Sequence, residues 1–419
     1  MRRFSIIAAT VSGNRGAEAM LETTIGRLRD RVADAEFAVY SYYPKRDRAL
    51  VSDPRVRVYS STPAHLVLVA LPWSVLLGVL RLLHLPHRWG PASVRALASS
   101  DALVDLAGVA FIDGREKFLP FNVLTILPAM LLGVPVFKFA QALGPFAHPL
   151  NRLASRILRR CALVVPRGEV TVSNLEAIGF PAERTLPAPD VAFLFEPRDS
   201  LTDEGAFEVE VITTSIGRFA QRGLEFVGVC PSAVIASKAA AEGWDYPGFV
   251  AQVVRGIVES GRGVVLFPNA TRAGSSQPRN NDLPVIASVM DRLHGAKGVP
   301  VLAVSGDVNA AGLREIVAHC SCVAVSRFHA MVGALSAGVP VAVLGWSHKY
   351  LEVMRQFGQE RYVFDVTDHE AGPFLDRLAE LFERRDDAAG EIRAALPAVA
   401  KSCGRQFDEL VARLGEGRS

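Results

Sequence analysis

Short apolar runs alternate with longer amphipathic stretches through most of the chain. In the first half the runs are Phe4–Ala9, Glu36–Tyr40, Val56–Tyr59, Ala102–Leu106, Pro135–Phe139 and Ala162–Val165. In the second half they are Glu225–Cys230, Gly263–Phe267, Pro300–Val304, Cys322–Val325 and Val339–Leu344. Strand-like runs separated by helical patterns predict an α/β protein with doubly wound parallel sheets. The stretch Cys322–Lys349 shows the repeating unit. Its helix, Phe328–Ala337, sets Ala330, Met331, Ala334 and Leu335 on one face, with Gly338 as its stop. Arg327 and His329 follow the first strand, and Trp346, His348 and Lys349 follow the second. Those positions fall on the carboxyl edge of a parallel sheet, where open α/β folds hold ligands.

The alternation breaks at Glu196–Gly223, which is polar and mixed in pattern. A chain of 419 residues exceeds one ordinary core, so two domains are expected. The predicted division is an N-terminal Rossmann-like domain over 1–200, a linker over 201–223, a second Rossmann-like domain over 224–371 and C-terminal helices over 372–419. Two such domains facing one another would leave a cleft between their carboxyl edges, as in the B-type glycosyltransferase architecture. Segment 64–90 is an apolar insert, interrupted by Pro72, Gly78 and Arg81 and followed by His84, His87 and Arg88. Three readings are open for it: packed helices of the first domain, a helical hairpin on a membrane face, or a membrane span.

Composition narrows the class. Half of the residues are hydrophobic and 21% are charged, as in a globular protein. A net charge of +3 speaks against nonspecific nucleic-acid binding, while local basic clusters can still hold an anion. The five cysteines fall in or beside apolar runs, which suits reduced, packed thiols in the cytoplasm. Cys320-Ser-Cys322 lacks a second pair, and no metal site or cofactor is expected. The opening "MRRFSIIAATVSGNRG" resembles a short signal peptide but reads better as a first buried strand ending in a Gly-rich turn.

Several strand ends carry candidate chemistry. After the first strand, Gly13 and Gly16 permit a tight turn and Asn14 can cap the helix that follows, leaving backbone N–H groups for an anion or a sugar hydroxyl. Arg167 follows strand Ala162–Val165 and precedes a helix expected over Thr171–Ile178, with Ser173 and Glu176 at capping-box spacing. An Arg there is a grip for carboxylate or phosphate. Asp113 and Gln141 stand at other strand ends, and Asp190, in an apolar stretch near the domain boundary, needs a partner. Trp346 could stack on a sugar ring or simply pack.

"GNRGAEAML", "FAQALGPF", "PRGEVTVSNLEAIG" and above all "SRFHAMVGALSAGVPVAVLGWSHKY" resemble the polysaccharide pyruvyl transferase family, from about Gly13 to Gly358. The resemblance implies transfer of the enolpyruvyl unit of phosphoenolpyruvate to a sugar, giving a pyruvate ketal and free phosphate. It also implies His329 as the catalytic acid and Arg167, Arg327 and Lys349 as donor-binding residues. Asn14, Gly16, Asp113, Gln141, Asp190 and His348 are acceptor or cleft candidates. The chain departs from the family pattern where Ala17-Glu18 follows Gly16 and where "LAGVAF" replaces a run of three glycines.

The chemistry asks for such a set on its own terms. Two Arg and a Lys match the phosphate and carboxylate of phosphoenolpyruvate, and a His suits protonation of its methylene carbon near neutral pH. A B-type glycosyltransferase using a nucleotide-sugar is the alternative, and a noncatalytic glycan-binding relative is a third reading. The expected partners are phosphoenolpyruvate and a sugar, free or lipid-linked, with no nucleic acid. The expected location is the cytoplasm, with peripheral contact at the inner membrane face where precursors are lipid-linked.

Overall fold

The computed structural model describes residues 2–86, 89–272, 278–293, 300–345, 348–365 and 370–416. The chain divides into two compact units. The first comprises Met1–Val11, Met20–Phe195 and Lys401–Ser419, and the second Ser12–Ala19 and Glu196–Ala400.

In the first unit, β1 (Arg2–Ile7), β2 (Ala35–Ser41), β3 (Val56–Ser60), β4 (Ala102–Asp105), β5 (Val109–Ala110), β6 (Val136–Leu143) and β7 (Leu163–Pro166) form one sheet. Its order is β3-β2-β1-β4-β6-β5, with β7 also on β6, and every pairing is parallel. Such strands are covered on both faces, which is why Phe4, Val39, Val104, Phe137 and Val164 sit in near-continuous apolar runs and are buried. The β6–β7 register slips between Lys138 and Gln141, where Ala140 takes φ +50°.

The second unit contains β8 (Phe226–Cys230), β9 (Gly263–Leu266), β10 (Val301–Ala303), β11 (Cys322–Val325), β12 (Val341–Gly345) and β13 (Val363–Asp365). The order β10-β9-β8-β11-β12-β13 is again parallel throughout. Connections run one way from β8 and the other way from β11. That makes the β8/β11 boundary a topological switch point, where the following loops diverge and leave room for a ligand.

All the strands expected from the apolar runs are present, with ends shifted by a residue or two except in β6, which runs four residues past its expected end to Leu143. β5 and β13 were not foreseen, because two or three residues of mixed burial leave no periodic signature. Three expectations need correction. Segment 201–223 is not a bare linker: Ala206–Ala220 is a helix that buries Val209, Ile212 and Ile216, a helical spacing masked by interleaved Thr and Glu. The helix after β7 spans Glu169–Ala177 with Gly168 as N-cap, so Ser173 and Glu176 form no capping box. The run 63–82 is one 20-residue helix, not a set of short helices broken at Pro72 and Gly78. It passes Pro72 because the turn before it widens, the Leu71 N–H donating five residues back to the Leu66 carbonyl.

The end of the C-terminal helix Arg385–Glu416 packs on the first unit. Phe407 meets Phe139 edge to face at 5.3 Å, and Arg413 Nη1 donates to the Ala162 carbonyl at 3.1 Å. All five cysteines are unpaired thiols in buried positions.

Candidate active site

The turn after β1 clusters with the second unit, not with the sheet that precedes it. Asn14 pairs with Ala270 in an antiparallel bridge, Arg15 N–H donates to the Asn269 carbonyl at 3.0 Å, and Thr271 N–H donates to the Gly13 carbonyl at 3.1 Å. The turn therefore docks on the loop that leaves the carboxyl end of β9. Asn14 also caps its helix, its Oδ1 accepting from Ala17 N–H at 3.2 Å.

Gly16 lies directly on the imidazole of His329. A Cβ built on Gly16 would sit 2.2 Å from both Cγ and Nδ1 of that ring. His329 is the second residue of the helix Phe328–Ser336, which begins right after β11 with Arg327 as N-cap. The ring thus stands at the amino end of a helix, at the switch point, half-buried.

Arg327 is not free to act as a lone anion grip. Its Nε contacts both Oδ1 and Oδ2 of Asp282 at 3.1 Å, Nη2 also meets this carboxylate, and Nη2 donates to the Arg279 carbonyl at 3.0 Å. Asp282, fully buried, also accepts the backbone N–H of Ala233 at 2.8 Å, Asn269 at 3.1 Å and Ala270 at 2.9 Å. One carboxylate thereby ties together the loops after β8, β9 and β11. Burial alone would lower the Arg327 pKa, but Asp282 holds it above the ordinary arginine value.

A second buried charge cluster adjoins Gly16. Arg15, 2% exposed, bonds Glu18 and Asp307 at 2.5 Å each and Thr271 Oγ1 at 3.0 Å, and forms a looser ion pair with Glu204 at 3.6 Å. Burial opposes the Arg15 charge, yet its three acidic neighbours raise its pKa. Burial pushes the Glu18 carboxyl up to about 7 against the pull of Arg15. Lys349, the remaining donor-binding candidate of this unit, sets Nζ 5.1 Å from the Phe328 ring centre and 5.3 Å from that of Tyr350. Trp346 and the His348 side chain, like His87 and Arg88, lie outside the described residues.

The other candidates belong to the first unit. Arg167 Nη1 bonds Asp190 Oδ2 at 3.1 Å in a buried pair, so Asp190 has the partner its apolar setting requires. Gln141 Nε2 donates to the Asp105 carbonyl at 2.9 Å, and the Asp105 carboxylate pairs with Lys138, its register partner across β4 and β6. Asp113 holds the turn before the helix Pro149–Leu158, accepting from Ala147 N–H at 2.8 Å, His148 N–H at 3.1 Å and Asn151 Nδ2 at 2.6 Å, while His148 is the N-cap. A cavity of 630 Å³ also opens in this unit, beside Arg3, Glu36, Arg57 and Arg95. It sits at the amino ends of the strands, the wrong edge for a parallel-sheet active site.

Six participants escaped the sequence reading: Arg15, Glu18, Glu204, Thr271, Asp282 and Asp307. Only Asp282 carried a usable signal, an Asp before Leu-Pro at a helix start. Its carboxylate makes no cap bond and turns to the strand loops instead. Among the described residues, no group of three or more His, Cys, Asp or Glu side chains is placed to hold a metal ion.

The two parallel sheets and their switch-point site define a protein built of two Rossmann-like domains, the fold of B-type glycosyltransferases and related epimerases. Solved structures share it over nearly the whole chain. A UDP-GlcNAc 2-epimerase from Neisseria meningitidis, bound to UDP-GlcNAc, gives a TM-score of 0.61 at 12% identity, covering 99% of this chain and 100% of that one. HepE of Anabaena, in complex with UDP-glucose, gives 0.57 at 12% identity with the same coverage. At such identity the likeness concerns fold alone. The chain belongs to the polysaccharide pyruvyl transferase family, whose pattern it matches over residues 14–348. It is also 22% identical to the amylovoran biosynthesis protein AmsJ of Erwinia amylovora over 301 residues, 72% of this chain and 70% of that protein.

Proposed function

We propose that the protein transfers the enolpyruvyl unit of phosphoenolpyruvate to a sugar of a polysaccharide or its lipid-linked precursor, in the cytoplasm. The observation that carries this reading is the seating of His329 at the amino end of the helix after β11, against Gly16 and two residues beyond the Arg327 that Asp282 holds.

His329, as the imidazolium, donates its proton to the methylene carbon of phosphoenolpyruvate, and C2 gains cationic character stabilised by its oxygen. A sugar hydroxyl adds to C2 and its proton passes back to the His329 imidazole, restoring the acid. A second hydroxyl of the same sugar then displaces phosphate and its proton leaves with it, closing the ketal and releasing inorganic phosphate. The cationic side chains of Arg327 and Lys349 supply charge for the donor's anionic groups, beside the positive end of the helix Phe328–Ser336. Arg327 brings a guanidinium already oriented by Asp282, so less side-chain freedom is lost on binding. Arg167, paired with Asp190 in the first unit, is assigned to the donor by its match to the family pattern, and Arg167→Lys should raise the KM for phosphoenolpyruvate.

The test is incubation of purified protein with phosphoenolpyruvate and oligosaccharides bearing neighbouring hydroxyl pairs. Phosphate release together with a new ketal methyl signal by NMR supports the reading. Turnover of UDP-glucose with no consumption of phosphoenolpyruvate overturns it in favour of glycosyl transfer.

A further inference from the structure

The helix Pro63–Leu82 has two faces with opposite fates. Leu66, Leu77 and Gly78 rest on the first unit: Leu77 is fully buried, and a Cβ on Gly78 would lie 2.7 Å from the Leu131 carbonyl oxygen. The other face is apolar and open. Leu68, Val75, Leu76, Val79, Leu82 and Leu83 follow one another mainly at helical spacing, Leu68 at 72% and Leu82 at 80% exposure. Only 28% of the apolar segment is buried, so it is not a core helix. From Leu68 to Leu83, at 1.5 Å per residue, the stripe is about 23 Å long. Uninterrupted apolar surface of that extent marks a docking site.

Charge indicates what covers it. From Pro54 to Ser100 the chain carries five Arg and three His and no acidic residue, although the whole protein is nearly balanced at 46 basic to 43 acidic residues. Arg81, His84 and Trp89 are exposed around the carboxyl end of the helix, and Trp89 meets Trp73 edge to face at 5.2 Å. Apolar stripe, aromatic pair and cationic end together form the pattern of segments that lie at a bilayer interface. A second copy docked stripe to stripe would bring the same acid-free segment against itself, and like charges would oppose the contact.

We propose that this helix docks the protein in the plane of an anionic lipid bilayer, with the open stripe in the acyl boundary and the basic residues among the headgroups. It does not span the bilayer, because withdrawing it would strip Leu66 and Leu77 from the core of the first unit. The docking follows from surface chemistry and is independent of the reaction proposed above.

Vesicle co-sedimentation of the full-length protein tests it, with phosphatidylcholine alone and with phosphatidylcholine containing phosphatidylglycerol. Binding should favour the phosphatidylglycerol vesicles, weaken with added salt, and fall at least tenfold in the triple variant Leu76→Ser, Val79→Ser, Leu82→Ser. These residues are exposed, so the thermal midpoint should hold, and the double variant Leu76→Ser, Val79→Ser provides a milder check. Wild type that stays in the supernatant with both compositions overturns the proposal, as does equal binding by the variants. A dimer that the triple variant converts to monomer, without vesicle binding, assigns the stripe to self-association instead.

Discussion

Gly16 and His329 occupy one another's space: no side chain fits at position 16 while the imidazole stays where it is. The backbone at Gly16 is not in the left-handed region, so the requirement for glycine is one of room, not of dihedral freedom. Gly16→Ala should therefore displace the ring and reduce turnover at least tenfold, with a stability loss of roughly 1–3 kcal/mol from overpacking. Steady-state kinetics alongside thermal denaturation separate the two effects. In a His329→Ala background the Gly16→Ala change should cost little further activity, since both act through the same ring.

Removal of the proton donor itself should be more severe. His329→Ala is expected to lower kcat on the order of a hundredfold or more, the usual scale for a general acid. Phosphoenolpyruvate binding by calorimetry should survive, because the cationic groups remain. A variant with near wild-type turnover would take His329 out of the mechanism.

The Arg327–Asp282 pair predicts two different failures. Asp282→Ala strands a buried guanidinium and three backbone N–H groups at once, so the second unit should lose roughly 3–5 kcal/mol of stability. Arg327→Lys keeps a cation opposite Asp282 but loses the planar fork. It should cost less stability and raise the KM for phosphoenolpyruvate severalfold. Denaturant melts and initial-rate kinetics on the two variants decide; an unchanged KM in Arg327→Lys would leave Arg327 as a loop tie only.

The sheets were legible because fully buried parallel strands must be apolar throughout, and runs such as Cys322–Val325 announce themselves. The positions of Arg327 and His329 followed from the same logic, since they trail a strand. The partners did not. Asp282 reaches Arg327 across 45 residues and Arg15 reaches Asp307 across 292, and no local pattern encodes a contact of that span. The helix through Pro72 escaped for another reason: a widened turn absorbed the missing N–H, which propensity alone does not foresee. The turn at Asn14 and Gly16 was read with the strand it follows, whereas its backbone bonds run to residues 269–271 of the second unit.

Glu18 makes stability depend on pH in a stated direction. Burial raises its folded-state pKa from 4.5 to about 7, despite Arg15 beside it. In the unfolded chain the carboxyl ionises near its ordinary value, so below about pH 4.5 both states hold the proton and the contribution is fully present. Between there and pH 7 only the folded state keeps the proton, and stability falls by about 1.4 kcal/mol for each step of one in pH. Glu18→Gln keeps the shape and removes the titration. Its thermal midpoint relative to wild type should rise as pH goes from 5 to about 7 and level off toward 8, because the unfolded wild-type chain ionises over that range while the buried carboxyl holds its proton. An offset between the two proteins that stays level across that range would mean that Glu18 is ionised throughout as the paired carboxylate of Arg15.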